Sequence, residues 1–295
     1  MGNTTPHGTH KRPQVLALAN QKGGVGKTTT SVNLGAYLAA GGLRVLLIDI
    51  DPQGNATSSL GIDKESCRLS VYDVLTEGLP LARAVVPTAQ PGLALVPSTS
   101  VLLGAETESA LAELSGREQR LADAIDTLPP GAYDVALVDC PPSLGLLTLN
   151  ALAAADGVVI PIQCEFLALE GLMQLANSIY LVKRTFNARL EILGVLMTMY
   201  DARTRLSAQV VEEVRRFFPN RIFNTVIPRG VHLAEAPSYG QTILAYDPAS
   251  RGALAYRAVA EELRARLGLR SPNGAAPAEV AARPAEALVE AEVGR

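Results

Sequence analysis

Apolar and polar positions follow two different patterns along the chain. Short runs rich in valine, isoleucine and leucine alternate with longer segments of helical character. This alternation favours βαβ units and a mostly parallel, twisted sheet of about seven or eight strands with helices on both faces, an α/β fold. The runs predicted as strands are 15–19, 44–48, 93–96, 135–138, 158–160, 192–199 and 222–227.

Glycine and proline mark the ends of predicted helices, as at 41–42 and 129–130. In an open parallel sheet, ligands bind beyond the carboxyl ends of the strands, so the loops after Ala19, Ile48 and Val138 are the first candidates for a site. The predicted helices are 27–40, 106–128, 167–184, 205–218 and 251–267.

The composition supports one large folded domain or two small ones. Of 295 residues, 48% are hydrophobic and 19% are charged, which excludes wholesale disorder. The stretch 271–295 differs, because its eight Ala, three Pro and four Glu supply no continuous apolar face. We therefore expect a flexible arm at 1–12, an ordered domain at 13–268 and a disordered tail at 269–295.

Charge is unevenly distributed. The net charge of −3 gives no overall attraction to DNA or to an anionic membrane. Between residues 183 and 229, however, nine Lys or Arg face four Asp or Glu, a local excess of five positive charges. Solvated helix faces would produce the same excess, so the charge alone leaves a nucleic-acid partner open.

The sequence favours a cytoplasmic location. The first twelve residues are polar and lack the apolar region of a signal peptide. The longest apolar stretch, 144–162, is interrupted by polar residues and a proline, which argues against a membrane span. Cys67, Cys140 and Cys164 form no CxxC pair, so we expect neither a disulfide framework nor a zinc site.

A glycine-rich loop follows the first predicted strand and leads directly into a helix. Residues 20–30 read NQKGGVGKTTT, and such a loop turns backbone N–H groups toward phosphate oxygens at a helix N-terminus. Lys27 would lie near the β- and γ-phosphates, and the Thr28 hydroxyl would ligate Mg²⁺. The plain alternative is a turn with two solvated lysines. The predicted nucleotide-binding residues in the loop are Gly23, Gly24, Val25, Gly26, Lys27, Thr28 and Thr29.

One position departs from the P-loop pattern G-x-x-x-x-G-K-[ST]. The chain has Gln21 in place of the first glycine, followed by a second lysine, Lys22. The string KGGVGKTT resembles the deviant Walker A motif of the ParA/MinD family of ATPases. The resemblance implies a single-domain P-loop NTPase fold, ATP with Mg²⁺, and a homodimer that forms on ATP binding. In that dimer Lys22 would reach the nucleotide of the partner subunit.

Two further strand ends carry carboxylates. Residues 46–55 read LLIDIDPQGN and resemble the DxDPQGN segment of the family; residues 136–143 read ALVDCPPS and resemble its Walker B and switch region. By this resemblance, Asp51 positions or activates the attacking water, Asp49 supports the magnesium shell and Asp139 binds Mg²⁺ through water. Lys22, Lys27 and Asp51 are thus the predicted catalytic residues. A solvated turn aspartate is the alternative for Asp49 or Asp51.

Later segments resemble the chromosomal ParA branch, also called Soj. They read TMYDART at 198–204 and IPRGVHLAEAPS at 227–238. The resemblance implies that Arg203 and Arg229 bind double-stranded DNA without sequence preference and that Pro228 lies near the adenine. It further implies a weak ATPase on the nucleoid, stimulated by DNA and a ParB-type partner, that drives chromosome or plasmid segregation. The family often has arginine where this chain has His232, which weakens one possible DNA contact.

Three rival classes share parts of this pattern. A membrane-cycling MinD-like ATPase needs a basic amphipathic C-terminal helix, whereas 271–295 holds four Glu and two Arg, so we expect no membrane partner. A redox or transport enzyme of the same fold, such as the nitrogenase iron protein or an anion-pump ATPase, needs suitably placed cysteines. A scaffold without catalysis is disfavoured by the set Lys27, Thr28, Asp51 and Asp139.

Overall fold

A single sheet organises the computed structural model, which describes residues 12–107, 111–165 and 168–269. Within these ranges the strands are Gln14–Leu18 (β1), Val45–Asp49 (β2), Val86–Pro87 (β3), Leu93–Val96 (β4), Val135–Asp139 (β5), Gly157–Gln163 (β6) and Glu191–Thr198 (β7). Their order across the sheet is β3-β4-β2-β5-β1-β6-β7. Strand β3 runs antiparallel to β4, and the other neighbours are parallel.

Helices cover both faces of this sheet. Alternate side chains of β1 face opposite sides of the sheet. Val15 and Ala17 join a core with the helix at 71–77 and the helices between 120 and 217, whereas Leu16 and Leu18 join a core with the helices at 27–40 and 251–266. Because both faces are covered, strands such as β2 and β5 are buried at every position. The predicted α/β class is confirmed. In the described ranges the helices are Lys27–Ala40 (α1), Asn55–Ser59 (α2), Val71–Glu77 (α3), Leu102–Thr107 (α4), Arg120–Asp126 (α5), Leu146–Ala154 (α6), Ala168–Thr185 (α7), Arg205–Phe217 (α8), Val231–Glu235 (α9), Ile243–Tyr246 (α10) and Arg251–Arg266 (α11).

The three central strands bring their carboxyl ends together. β5 lies between β2 and β1, so Asp139 pairs in register with Asp49 on one side and with Leu18 on the other. The loop that leaves β1 and the two aspartates therefore meet at one edge of the sheet, where ligands of parallel sheets bind.

The predicted strand 222–227 is wrong. Isolated bridges to β7 and the residues after it form near the two ends of this segment. In its middle, the backbone N–H groups of Asn224 and Thr225 donate to the Glu262 carboxylate at 2.8 and 2.9 Å. A side chain of α11 thus takes the N–H groups in the middle of the segment, so only isolated bridges join the segment to β7 and no continuous strand forms.

The predicted helix 106–128 is wrong as a single element, because α4 and α5 are separated by turns in the described residues between them. Gly116 adopts a φ of 68° there, which a continuous helix does not allow. The buried Asn150 side chain accepts the N–H of Leu121 at 3.1 Å and donates to the carbonyl of Arg117 at 2.8 Å. Asn150 thereby satisfies groups at the start of α5 that a helix end leaves unpaired.

The remaining predicted helices are confirmed to within one residue at each end, and six of the seven predicted strands overlap observed strands. The short strand β3 and the helices α2, α3, α6, α9 and α10 were not predicted. The predicted arm and tail lie outside the described residues, apart from residue 12 and residue 269. Among the described helices, none is both long and apolar enough to cross a membrane.

Helix α1, which begins at the glycine-rich loop, is held in place by a contact with α11. The Thr30 hydroxyl donates to the carbonyl of Gly26 at 2.6 Å. Since that donation uses its one proton, the hydroxyl of Tyr256 is the donor in the 3.1 Å contact between Tyr256 and Thr30. Tyr256 is fully buried, and this burial raises the pKa of its phenol.

Replacing Tyr256 with phenylalanine should lower the free energy of unfolding by about 1 kcal/mol, because the change removes one buried hydrogen bond and keeps the ring. Urea unfolding would measure the difference. As a control, Tyr180→Phe, at a side chain that is 60% exposed, should stay within about 0.5 kcal/mol of the wild type. Equal stability of the two variants would contradict this account of how α11 holds α1.

Candidate nucleotide-binding site

The glycine-rich loop is tied to two neighbouring strands of the sheet, β6 and β7. The Asn20 side chain accepts the N–H of Lys22 at 3.0 Å and donates to the carbonyl of Pro161 in β6 at 2.8 Å. The Thr198 hydroxyl, at the end of β7, donates to the carbonyl of Val25 at 2.8 Å. These bonds hold the loop in place at the N-terminus of α1.

Backbone conformation explains the glycines of this loop. Gly24 and Gly26 have φ angles of 74° and 87°, in the left-handed region that side chains with a Cβ rarely adopt. A Cβ on Gly23 would lie 3.9 Å from the Cβ of Pro142, so the loop adjoins the segment after β5. Thr29, in the first turn of α1, accepts a 2.8 Å hydrogen bond from Asn33 through its carbonyl.

Asp139 receives two hydroxyl donors from α1. The hydroxyls of Thr28 and Ser31 donate to its two carboxylate oxygens at 2.8 and 2.7 Å. Asp139 is fully buried. Burial raises the pKa of its carboxyl, and the hydrogen bonds from Ser31 and Thr28 oppose that rise.

Lys27 is buried beside this carboxylate. Its ammonium group donates to the carbonyl of Lys22 at 3.1 Å. Burial lowers the pKa of Lys27, while the charge of Asp139 acts in the opposite direction. A phosphate group at the loop would give this ammonium a strong acceptor.

Asp49 is engaged by the segment that follows it. Its Oδ2 accepts the N–H and the hydroxyl of Thr57 at 2.9 and 2.7 Å, and its Oδ1 accepts the N–H of Asp51 at 3.2 Å. The side chain is fully buried. Burial, followed by the charge of Asp139, raises the pKa of Asp49.

Asp51 lies in the turn directly after β2. Its Oδ1 accepts the N–H of Gln53 at 2.9 Å, and its carbonyl accepts the Ser98 hydroxyl at 2.7 Å. The residue is buried, at 6% relative exposure. Asp51 is therefore fixed next to the loop and the two other aspartates.

The donors gathered here fit a magnesium ion. Magnesium prefers oxygen ligands and keeps several waters when it is held beside phosphates. The Thr28 hydroxyl and the Asp139 carboxylate supply oxygen ligands next to the loop. Among the described residues, no group of three or more His, Cys, Asp and Glu side chains could hold a metal by itself. A cation at this site would therefore take its remaining ligands from phosphate and water.

Lys22 points away from the buried cluster. Its ammonium group forms an ion pair with Glu165, which follows β6. Both side chains are partly exposed, at 55% and 41%. In one chain, then, the second lysine of the loop contacts a carboxylate at the surface and does not join Lys27.

Pro228, Arg203 and Arg229 form a second cluster, on a cavity of about 260 Å³ after β7. The Arg203 guanidinium makes two hydrogen bonds to Asp201, at 2.9 and 2.8 Å. These bonds, with help from Arg229, lower the pKa of Asp201 to about 2. Tyr200, Asp201, Ala202 and Arg251 complete the lining. The predicted DNA-binding and adenine-binding residues are thus neighbours, apart from the aspartate cluster.

The cysteines are dispersed. All three are free thiols, and Cys140 and Cys164 are buried. Burial raises the pKa of the Cys164 thiol to about 12 and that of Cys140 well above its usual range. Buried thiols of this kind are inert packing residues.

Four residues of the site were not predicted: Ser31, Thr57, Ser98 and Glu165. Ser31 could have been found, because it lies four positions after Lys27 and so on the same face of α1. Ser98 and Glu165 contact the site from distant parts of the sequence, and Thr57, eight residues after Asp49, belongs to none of the motifs. No sequence spacing identifies them.

Known proteins are similar to this chain. A family model described as an AAA domain matches residues 13–192. The sporulation initiation inhibitor protein Soj of Bacillus subtilis (strain 168) is 54% identical over 252 residues, which cover 85% of this chain and 98% of that protein. The chromosome partitioning protein ParA of Caulobacter vibrioides (strain NA1000 / CB15N) is 50% identical over 254 residues, covering 86% of this chain and 94% of that protein.

A solved structure is also similar. It is that of cobyrinic acid a,c-diamide synthase from Mycobacterium smegmatis with bound ATP analog and magnesium, with a TM-score of 0.75 and 41% identity over 88% of this chain and 98% of that chain. That name denotes another reaction, and its identity is below that of the two partition proteins. Because relatives at 50% identity or more align over most of its length, and because its glycine-rich loop opens a helix beside buried aspartates, the chain belongs to the Soj/ParA family of P-loop chromosome-partitioning ATPases.

Proposed function

We propose that the chain binds ATP with Mg²⁺ at the glycine-rich loop, dimerises on binding it, and hydrolyses it to ADP and phosphate. The observation that carries the proposal is the convergence of Lys27, Thr28 and Asp139 at one edge of the sheet. The ATP analog and magnesium bound to the similar M. smegmatis structure support it.

Hydrolysis needs little covalent chemistry from the protein. A bond forms between the water oxygen and the γ-phosphorus, the bond from that phosphorus to the β–γ bridging oxygen breaks, and ADP leaves with the electron pair. One proton of the water is lost to solvent and the other stays on the phosphate product. Asp51 would orient the water, and Lys27 would offset negative charge on the β- and γ-phosphates. Thr28 and Asp139 would hold magnesium, with Asp49 supporting them from β2. Magnesium, when bound, would neutralise phosphate charge.

Dimerisation would give Lys22 its role. In one chain its ammonium is exposed and paired with Glu165, and an exposed ion pair contributes about 0–1 kcal/mol. The triphosphate bound by a second copy carries more negative charge than one carboxylate and would compete for this ammonium. We propose that Lys22 acts on the nucleotide of the partner subunit, so that ATP links two chains.

The arginine cavity supports DNA binding. Arg203, Arg229 and Arg251 line it together with one acidic residue, Asp201. Guanidinium groups bind phosphate oxygens through a planar fork with a fixed charge, and contacts to the DNA backbone carry no sequence information. A dimer carries two such surfaces, so ATP binding would raise DNA affinity through multivalency. Pro228, in the same lining, would lie near the adenine.

The biological role that follows is segregation of a chromosome or plasmid on the nucleoid. Intrinsic hydrolysis would be weak, and DNA together with a ParB-type partner would stimulate it and release the dimer from DNA. The names and the identity of the Soj and ParA relatives support this role.

Lys27→Ala should abolish nucleotide binding, because it removes the buried charge at the phosphate loop. Asp51→Ala should bind ATP and dimerise but turn over at least about a hundredfold more slowly, since a positioned acid–base group contributes about 10²–10⁴-fold. Equilibrium binding of a fluorescent ATP analogue and phosphate release measure the two steps. Normal turnover by Asp51→Ala would contradict its assigned role.

Lys22→Ala should bind ATP as a monomer. Loss of a buried interfacial charge pair costs about 2 kcal/mol or more, so the dimer Kd should rise by at least about thirtyfold. Sedimentation with a non-hydrolysable ATP analogue measures it. The matched control is Lys183→Ala, which removes an ion pair with Glu191 and should dimerise normally. A wild-type chain that stays monomeric with saturating nucleotide would refute the ATP-linked dimer.

Arg203→Ala and Arg229→Ala should each weaken DNA binding and leave ATP-dependent dimers intact. Since a dimer loses two charges per substitution, the slope of log affinity against log salt should fall in magnitude by about 2, at about 0.9 per phosphate. Salt titration on an arbitrary duplex measures this slope. Arg257→Ala, on the exposed face of α11, is the control. Unchanged retention of Arg203→Ala and Arg229→Ala on duplex would reject the assignment.

A further inference from the structure

A buried chain of hydrogen bonds connects Asp49 to Asp51 through two residues that belong to no motif, Thr57 and Ser98. The Thr57 hydroxyl donates to Asp49 at 2.7 Å, and the N–H of Ser98 donates to Thr57 Oγ1 at 3.0 Å. The Ser98 hydroxyl then donates to the carbonyl of Asp51 at 2.7 Å. Asp49, Thr57 and Ser98 are fully buried.

We propose that Thr57 and Ser98 are positioning residues, which set the orientation of the Asp51 carboxylate for the attack of water on ATP. The proposal rests on the function proposed above for Asp51. It adds two side chains that act through Asp51 and do not themselves touch the nucleotide.

The direction of each hydrogen bond in this chain is fixed by the number of protons. Thr57 has one hydroxyl proton, which goes to Asp49, so its oxygen can only accept from the Ser98 N–H. The single hydroxyl proton of Ser98 goes to the Asp51 carbonyl. A hydroxyl that is both donor and acceptor, in a site without bulk water, tolerates little rotation. This chain of hydrogen bonds therefore transmits the position of Asp49 to the backbone of Asp51.

Further hydrogen bonds hold the backbone of Asp51 and one of its two carboxylate oxygens. Its N–H donates to Asp49 Oδ1 at 3.2 Å, its carbonyl also accepts the N–H of Gly54 at 2.8 Å, and its Oδ1 accepts the N–H of Gln53 at 2.9 Å. The second carboxylate oxygen, Oδ2, makes no hydrogen bond to any described residue. The arrangement fixes the residue and leaves one oxygen for a substrate water.

The hydrogen bonds of Thr57 and Ser98 also tie the turn after β2 to the sheet. Asp51 lies in the turn between β2 and α2. Ser98 follows β4, whose Val96 pairs with Ile48 of β2. Thr57 lies in α2, which begins four residues after Asp51. Three separate elements thus hold the turn, and a misplacement of about 1 Å in such a group lowers a rate by about a hundredfold.

Thr57→Val keeps the shape of the side chain and removes the hydroxyl, and Ser98→Ala removes the other link. Each should lower kcat for ATP hydrolysis by about ten- to a hundredfold, the larger figure corresponding to a shift of about 1 Å, with an unchanged Kd for a fluorescent ATP analogue and unchanged ATP-dependent dimerisation. Thr57→Ser, which retains the hydroxyl, should restore kcat. In an Asp51→Ala background, Thr57→Val should cause no further loss, because the group that it positions is absent.

A matched control distinguishes the loss of positioning from a general loss of stability. Thr242→Val removes a buried hydroxyl that caps α10 and should lower the melting temperature without changing kcat. The proposal is overturned if Thr57→Val and Ser98→Ala retain wild-type kcat, if Thr57→Ser fails to restore it, or if kcat falls equally in Thr242→Val. Should Thr57→Val fail to fold, the kcat of Ser98→Ala decides the proposal by the same criterion.

Different results would reject the role proposed for Asp51 and the role proposed for Thr57 and Ser98. If Asp51→Ala itself hydrolyses ATP at the wild-type rate, the proposed role of Asp51 is wrong, and that of Thr57 and Ser98 with it. If Asp51→Ala is inactive while Thr57→Val and Ser98→Ala are normal, the role of Asp51 stands and the positioning chain alone is rejected.

Discussion

The burial of two carboxylates at neighbouring strand ends is the constraint on which the site depends. Asp49 and Asp139 pair in register and are fully inaccessible to solvent, and an unpaired charge in such surroundings costs several kcal/mol. The fold offsets this cost with donors from both sides: the hydroxyls of α1 reach Asp139, and Thr57 reaches Asp49. Lys27 is buried at the same place. A divalent cation would offset the remaining negative charge of the carboxylates, and any ligand that binds only the folded state would stabilise the fold that binds it.

The site divides into a fixed part and a part that can be released. The bonds around Asp139 are buried, and each hydrogen bond to a charged group contributes about 1.5–3 kcal/mol. The ion pair of Lys22 with Glu165 is exposed and contributes about 0–1 kcal/mol. A monomer can therefore hold its nucleotide site rigid and still release, at small free-energy cost, the one lysine that is proposed to act in a second chain.

How much of the molecule the sequence predicts depends on whether the information is local. The glycine-rich loop and the aspartates at strand ends lie within short strings, and the structure brings them together. Helix α6 is buried on nearly every side, so it has no polar face by which to be recognised. The helix predicted at 106–128 is interrupted because Asn150, distant in sequence, supplies a partner at the start of α5. The strand predicted at 222–227 is interrupted because Glu262 takes the N–H groups of Asn224 and Thr225 in its middle.

The end of β7 connects the phosphate loop to the arginine cavity. Thr198 donates to Val25 in the phosphate loop, and Tyr200, two residues later, exchanges backbone hydrogen bonds with Ile227 and Arg229 at 2.9 and 3.0 Å. The phosphate loop and the arginine cavity are thus separated by a few residues whose backbone is held at both ends. A displacement of the loop by nucleotide or by a second chain must be absorbed within this short segment or passed to the arginines. Because Met199, in its middle, already adopts a φ of 53°, a strained conformation for a side chain with a Cβ, the segment has little freedom to absorb it.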